Sequence, residues 1–276
     1  MSFLYCLNTS TIRHPETSVL SAMDIAADAG YDGIEPWVQE IDAWVSSGGS
    51  LSDLRDKAND RGLKIVNLIA FFEWSVPEDD ARKKGLEEAQ RCFEMADSLG
   101  CEFVAAPPFG IHNRKVDLFS VAQRYAELSE STTAFQAQPL LEFWGIAQTL
   151  GTMGEALLVA AESGHPDTQL LADVYHMYKG SGHLHGLDYL PPNKLGLVHV
   201  NDYPEQPNRD NVTDADRVYP GDGLAPWPQI VTSLKNIGYT GMLSLELFNP
   251  NYWEKGSVEL AAEGLSKLKA CVESIT

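Results

Sequence analysis

The chain has 276 residues, 44% of them apolar and 21% charged, an ordinary globular composition that leaves no room for a disordered acidic tail. With 20 Lys and Arg against 39 Asp and Glu the formal charge is −19, and no basic cluster is present to displace the counterions of a nucleic acid or to adhere to an anionic membrane. No apolar run approaches the ~20 residues that span a bilayer.

In chain order, short apolar runs alternate with longer amphipathic stretches. Strands are expected at Phe3–Leu7, Gly33–Trp37, Lys64–Ala70, Phe103–Ala106, Pro139–Trp144, Gln169–Val174, Gly196–Asn201 and Met242–Phe248. Helices are expected at Ser18–Ala29, Leu51–Arg61, Asp79–Leu99, Asp117–Ala134, Thr152–Ser163, Trp227–Ile237 and Ser257–Ser274. Four of these helices run into glycine just before a strand, at Gly30, Gly62, Gly100 and Gly238, where a left-handed C-cap would end the helix. The strands are apolar throughout rather than alternating, which indicates burial on both faces and a parallel sheet. Eight strands in 276 residues give about 34 residues per unit, the size of one βα repeat. The pattern predicts an α/β chain forming one (β/α)8 TIM barrel, a single domain over residues 1–276. The weakest unit is the Gly- and Pro-rich stretch Gly180–Pro192, with room for only a short helix. The longest irregular stretch, Asp202–Pro226, is long enough for a functional loop.

The four cysteines, Cys6, Cys92, Cys101 and Cys271, show no C-x-x-C pair and read as buried thiols. The N-terminal run MSFLYCLNTSTIRH has neither a basic leader nor an h-region of signal length, so a soluble protein of a reducing compartment, most simply the cytoplasm, is expected.

Barrel active sites form at the C-terminal ends of the strands. There the fifth to eighth predicted strands read PLLEFWG, QLLADVYH, GLVHVND and MLSLELF, each placing one ionisable side chain after an apolar run: Glu142, Asp173, His199 and Glu246. Three converging carboxylates repel one another unless something positive sits among them. A divalent metal ion held by these four residues resolves the conflict and leaves open positions for water or substrate. Three carboxylates and one imidazole suit Mn, Mg, Zn or Co without choosing among them. Glu35 ends the second strand, either as a group orienting His or Arg side chains or as a local hydrogen-bond partner. Asn8 and His112 are weaker candidates for polar contacts, whereas His14, His165, His183 and His185 read as surface residues. Trp37, Phe71, Phe72, Trp74, Phe109 and Trp144 follow or end strands two to five, as an aromatic wall of a pocket or as packing.

Taken together, Glu on strand five, D-x-x-H on strand six, H-V-N-D on strand seven, R-V-Y-P-G-D-G in the next loop and L-E on strand eight resemble the xylose isomerase-like TIM-barrel superfamily, as does Gly30-Tyr31-Asp32-Gly33-Ile34-Glu35. The resemblance covers nearly the whole chain. It implies Glu142, Asp173, His199 and Glu246 as metal ligands, His176 and Arg217 as substrate-binding residues, and Glu142 and Glu246 as the catalytic pair exchanging a proton. It also implies a homo-oligomer. The expected activity is a divalent-metal-dependent isomerase or epimerase of a keto-sugar or keto-cyclitol, working by proton transfer through a metal-stabilised enediolate. A dehydratase of the inosose or 3-dehydroshikimate type on the same scaffold, and a sugar-binding barrel without activity, stay open as alternatives. An endonuclease IV-type reading fails on the missing D-x-H pair in Asp214-Ala215-Asp216-Arg217 and on the negative charge. The absence of a Lys/Arg cluster favours a small, non-phosphorylated substrate.

Overall fold

The computed structural model describes residues 3–275; Met1, Ser2 and Thr276, at the ends of the expected single-domain span and of the N-terminal run, lie outside the described residues. The strands are β1 (Leu4–Asn8), β2 (Gly33–Glu35), β3 (Lys64–Ile65), β4 (Asn67–Leu68), β5 (Phe103–Ala106), β6 (Gln138–Glu142), β7 (Gln169–Asp173), β8 (Leu195–Val200) and β9 (Met242–Leu245). The helices are α1 (Val19–Ala29), α2 (Val38–Ser46), α3 (Leu51–Asp60), α4 (Asp79–Leu99), α5 (Leu118–Ser131), α6 (Met153–Glu162), α7 (Val174–Ser181), α8 (Trp227–Asn236), α9 (Pro250–Trp253) and α10 (Ser257–Glu273).

Every strand pair is parallel, in the order β3-β2-β1-β9-β8-β7-β6-β5-β4. The two ends of that order are halves of one strand interrupted at Val66. Val66 donates its N–H to Ile34 O (3.1 Å) and accepts from Phe103 N (3.1 Å), so a single residue is bonded to both flanking strands and the ring closes. The expected (β/α)8 TIM barrel is the fold. The third expected strand is therefore shorter than the run Lys64–Ala70, because its backbone serves two neighbours that diverge.

Helix ends follow local chemistry. Gly30 and Gly100 take the left-handed conformation (φ 94° and 68°) and close α1 and α4, where a Cβ would be strained. Ser18, Asp117 and Thr152 accept from backbone N–H groups at the starts of α1, α5 and α6, satisfying donors that the first turn leaves over. Three helices escape the sequence pattern: α2, α7 and α9, the last a single turn too short to show a periodicity. Helix α7 begins directly where β7 ends, because Asp173 is both the last strand residue and the N-cap, its Oδ1 accepting from His176 N at 2.9 Å. Helix α2 starts at Val38, turning the expected strand end Trp37 into the residue before a helix, with Glu40 Oε2 accepting from Trp37 N.

Inside the barrel, Cys6, Val66, Phe103, Leu140, Leu171, Leu197 and Met242 form an apolar layer. Strand β2 contributes Gly33 at this level, and a Cβ there would lie 2.7 Å from Met242 Sδ and 2.8 Å from Val66 Cγ2. Side chains along a strand repeat every second residue on one face. Two residues beyond Cys6, Gly33, Leu140, Leu171, Leu197 and Met242 come Asn8, Glu35, Glu142, Asp173, His199 and Ser244. A polar layer thus rests on an apolar plug. Cys6, Cys92 and Cys101 are buried free thiols as expected, whereas Cys271 on α10 is only partly buried, because α10 packs against the outside of the barrel.

Candidate metal centre and pocket

Ligand atoms of Asp173, His199 and Glu246 lie within 4.8 Å of one another, all three side chains buried. His199 Nδ1 is 3.2 Å from Glu246 Oε2 and 3.7 Å from Asp173 Oδ2, yet it forms no hydrogen bond of acceptable geometry. Arg217 Nη1 reaches the same two oxygens, at 3.0 Å from Asp173 Oδ2 and 2.8 Å from Glu246 Oε2. Positive charge already sits among the converging carboxylates.

The surroundings shift each group. Burial would raise the Asp173 carboxyl, but Arg217, His176 and His199 hold it well below the usual carboxylate range. Burial would lower the His199 imidazole, and the carboxylates of Glu246, Glu35 and Asp173 instead push it well above the ordinary value. For His176 burial prevails and moves the imidazole down. Arg217 is 1% exposed and locked in its charged form, since Asp173, Asp214 and Glu246 outweigh its burial.

Glu142 does not join the 4.8 Å group. Its Oε1 accepts from the indole Nε1 of Trp144 at 3.1 Å, which holds the carboxyl against the pocket wall. Burial, with Glu246 and Asp173 adding repulsion against the attraction of His199, pushes its pKa up to about 8. Of the four ligands expected from the sequence, three side chains converge and Glu142 lines the same pocket.

The remaining candidates divide cleanly. Asn8 donates to Glu246 Oε1 (3.1 Å) and accepts from Trp37 Nε1 (3.0 Å), tying that carboxylate to the wall. Glu35 faces His199 Nε2 with both oxygens at 3.1 Å. Asn201 donates to both oxygens of Asp173 while accepting from Tyr175 N, which fixes the β7–α7 junction. His176 Nε2 stands 3.4 Å from Arg217 Nη2. His112 stacks on Phe109 and lies edge-on to Trp144, behind the pocket wall rather than on it.

Above the polar layer a cavity of about 390 Å³ is lined by Trp37, Phe71, Trp144, Phe248, Ile69 and Ile146 on its walls and by Glu142, His176, Asp214, Arg217 and Glu246 among its polar groups. The aromatic wall is therefore half what the sequence suggests. Trp74 packs edge-on against Tyr125 and donates to Pro107 O, and Phe72 belongs to the core beneath the helices. Phe109 supports the wall from behind through Phe71. Asp214, not among the site residues expected from the sequence, lines the cavity and pairs with Arg217 Nη2. Its signal was its spacing from Arg217, three residues along a 3-10 turn. Phe248 and Ile146 carried no sequence signal that separates them from packing residues. A second cavity, about 680 Å³ at the opposite end of the barrel, has no metal-ligating group of three among the described residues.

The residues fit a divalent cation. Carboxylate oxygens from β7 and from the turn after β9 converge with a buried imidazole nitrogen that makes no hydrogen bond, a donor set of hard and borderline ligands suited to Mn, Mg, Zn or Co.

Comparison with known proteins agrees with this architecture. An inosose isomerase of Halalkalibacterium halodurans is 26% identical over 260 residues, covering 92% of this chain and 91% of its own. A 3-dehydroshikimate dehydratase of Pseudomonas putida is 24% identical over 260 residues, 89% of this chain and 38% of that longer protein. The crystal structure of the IolI protein with a binding zinc atom superposes with a TM-score of 0.91 at 21% identity, over 99% of both chains. That of L-ribulose 3-epimerase gives 0.79 at 19% identity, over 100% and 96%. The family model for the xylose isomerase-like TIM barrel matches residues 23–271, and the chain belongs to that family.

Proposed function

We propose that the chain works as a single-domain, divalent-metal-dependent isomerase or epimerase of an uncharged keto-sugar or keto-cyclitol, moving a proton on carbon next to a carbonyl through an enediolate. Asp173, His199 and Glu246 would hold the cation, with Glu142 within reach of the same space. When bound, the cation supplies Lewis-acid stabilisation of negative charge on the substrate oxygens. The observation that carries the reading is the convergence of these three ligand side chains beneath a pocket holding a second, separately held glutamate.

The chain's own groups divide the remaining work. Glu246, gripped at one oxygen by Asn8 and at the other by Arg217, is the positioned proton acceptor. Glu142, held only by Trp144 and kept protonated by its burial, returns a proton from another wall of the pocket. Removal from one face and delivery to the opposite face of the same carbon gives epimerisation, and delivery to the adjacent carbon of the enediolate gives isomerisation. His176 and Arg217 line the pocket and contact substrate hydroxyls. Trp37, Phe71, Trp144 and Phe248 cover the apolar faces of the ring and exclude water.

The choice of an uncharged substrate rests on the pocket's charges. Among the described residues Arg217 is the one Lys or Arg side chain lining it, and its guanidinium is paired with Asp173, Glu246 and Asp214. A carboxylate or phosphate would meet Glu246 and Asp214 with no uncommitted cationic side chain among the described lining residues. This favours the isomerase reading over dehydration of a carboxylated ring such as 3-dehydroshikimate.

The test is a panel of ketohexoses, ketopentoses, inososes and 3-dehydroshikimate incubated in D2O with Mn²⁺ and followed by NMR and mass. Uptake of deuterium at one carbon of a neutral ketone, with no loss of water, is the expected result. In the Glu246→Gln variant that uptake drops by a factor of about 100 or more. Loss of water from the carboxylated ring, or normal exchange in the variant, contradicts the assignment.

A further inference from the structure

Glu35 is a carboxylate in the barrel interior that the proton transfers above do not use. It is fully buried at the end of β2, and every neighbour within hydrogen-bond reach is a donor. Both oxygens lie 3.1 Å from His199 Nε2, Oε1 also accepts from Asn67 Nδ2 at 2.8 Å, and Oε2 accepts from Ser244 Oγ. Those donors come from β4, β8 and β9, so the carboxylate is clamped from three strands. Burying a carboxylate costs several kcal/mol unless its partners repay it, and the layer beneath is wholly apolar, so packing alone does not call for an acid at this position.

We propose that Glu35 is a positioning residue that fixes the tautomer and orientation of His199, directing Nε2–H to itself and the Nδ1 lone pair to the divalent cation shared with Asp173 and Glu246. The inference rests on the cation-dependent reading above and extends it to a residue outside the ligand set. A carboxylate has only acceptors to offer, so Nε2 must carry a proton. A ligating imidazole has one proton to place, and placing it on Nε2 leaves Nδ1, the buried nitrogen without a hydrogen bond, as the ligand atom. With two oxygens equidistant from Nε2, the ring is held symmetrically along its own axis. Glutamine at this position has nearly the same shape, but it replaces one of the two oxygens facing His199 Nε2–H by an NH2 that only the Ser244 hydroxyl can accept, so it reproduces half of the clamp on the imidazole.

The experiment measures Zn²⁺ affinity by competition with a chelating dye for the wild-type chain, Glu35→Gln and Glu35→Leu, beside urea unfolding of each. The 15N shifts of His199 in the Zn²⁺-loaded protein report which nitrogen is protonated. Wild-type protein is expected to show a protonated Nε2 and a metal-bound Nδ1. Affinity is expected to fall about 10-fold in Glu35→Gln and about 100-fold in Glu35→Leu. Where Glu35→Leu does not fold, the near-isosteric Glu35→Gln decides by itself. Folded variants that bind Zn²⁺ as tightly as wild type, or a Zn²⁺-loaded wild type with the proton on Nδ1, overturn the proposal while the cation site stands. A wild-type chain that binds no Zn²⁺ removes the cation-dependent reading and this proposal with it.

Discussion

Glu142 and Glu246 are the same side chain in two settings. Glu246 accepts from an amide and a guanidinium on its two oxygens, while Glu142 accepts from one indole and is otherwise desolvated. Because Glu142 in the cation-free fold has its pKa raised from 4.5 to about 8, the native state holds that proton more tightly than the unfolded chain does. The resulting stability is complete below about pH 4.5 and is lost as pH rises to about 8. Urea unfolding of the cation-free protein should therefore show a Glu142-dependent decline of about 1 kcal/mol per pH unit in that window. Glu142→Gln is expected to remove that decline and to be the more stable protein at pH 8; identical pH profiles would place Glu142 in water instead. The four strand-end ionisable residues were legible because each interrupts an apolar run at the position where barrels present side chains. Which of them would touch was not, since Glu142 is drawn to the wall by Trp144, two residues away along an irregular backbone. Glu35 and Asn8 were visible as polar strand ends, but their partners His199 and Glu246 lie 164 and 238 residues away.

The segment after β8 delivers Asp214 and Arg217 to the pocket although residues 203–226 contain little regular structure. Its shape is set by Asp202, fully buried at the strand end, which accepts from Tyr203 N (2.8 Å), Gly221 N (3.0 Å), Ala225 N (2.8 Å) and Trp227 Nε1 (3.1 Å). Backbone bonds between Asp202 and Val218 brace the return. Replacing Asp202 by Ala strands several buried donors and is expected to destabilise the fold by about 2–4 kcal/mol, with faster proteolysis inside 203–226 and a raised KM. Unchanged cleavage and KM would mean that the loop holds its shape without that carboxylate. At this scale the sequence pattern located the barrel strands and the long amphipathic helices, whose periodicities are strong. It missed the single turn α9, and it missed α2 and α7, where a helix starts within a residue or two of a strand and the apolar run marks no boundary. Trp74 and Phe72 were left open between wall and packing for a related reason: an aromatic residue after a strand announces bulk but not direction, and these two turn toward the helices.

Across the whole molecule, eight repeats close through one backbone residue, Val66, and every inward residue of the lower layer is apolar, so the charged layer rests on a packed floor. That floor offers no solvation to the several ionisable groups in the centre of a chain whose formal charge is −19. Their mutual repulsion is offset locally by Arg217 and His199, not by solvent. A cation that binds the native fold and not the unfolded chain stabilises it by mass action, about 2.7 kcal/mol at 100 times its Kd. For a chain of this length Mn²⁺ at that excess should raise Tm by about 5–10 °C, and a chelator should reverse the shift. Among the described residues no helix is long and apolar enough to cross a membrane.

The most direct measurement is the anomalous difference map of a crystal grown with Mn²⁺. A single strong peak within about 2.0–2.4 Å of Asp173, His199 Nδ1 and Glu246 is the predicted result. A folded, Mn²⁺-saturated crystal with no peak at those three side chains, or with its peak elsewhere in the barrel, would contradict the account.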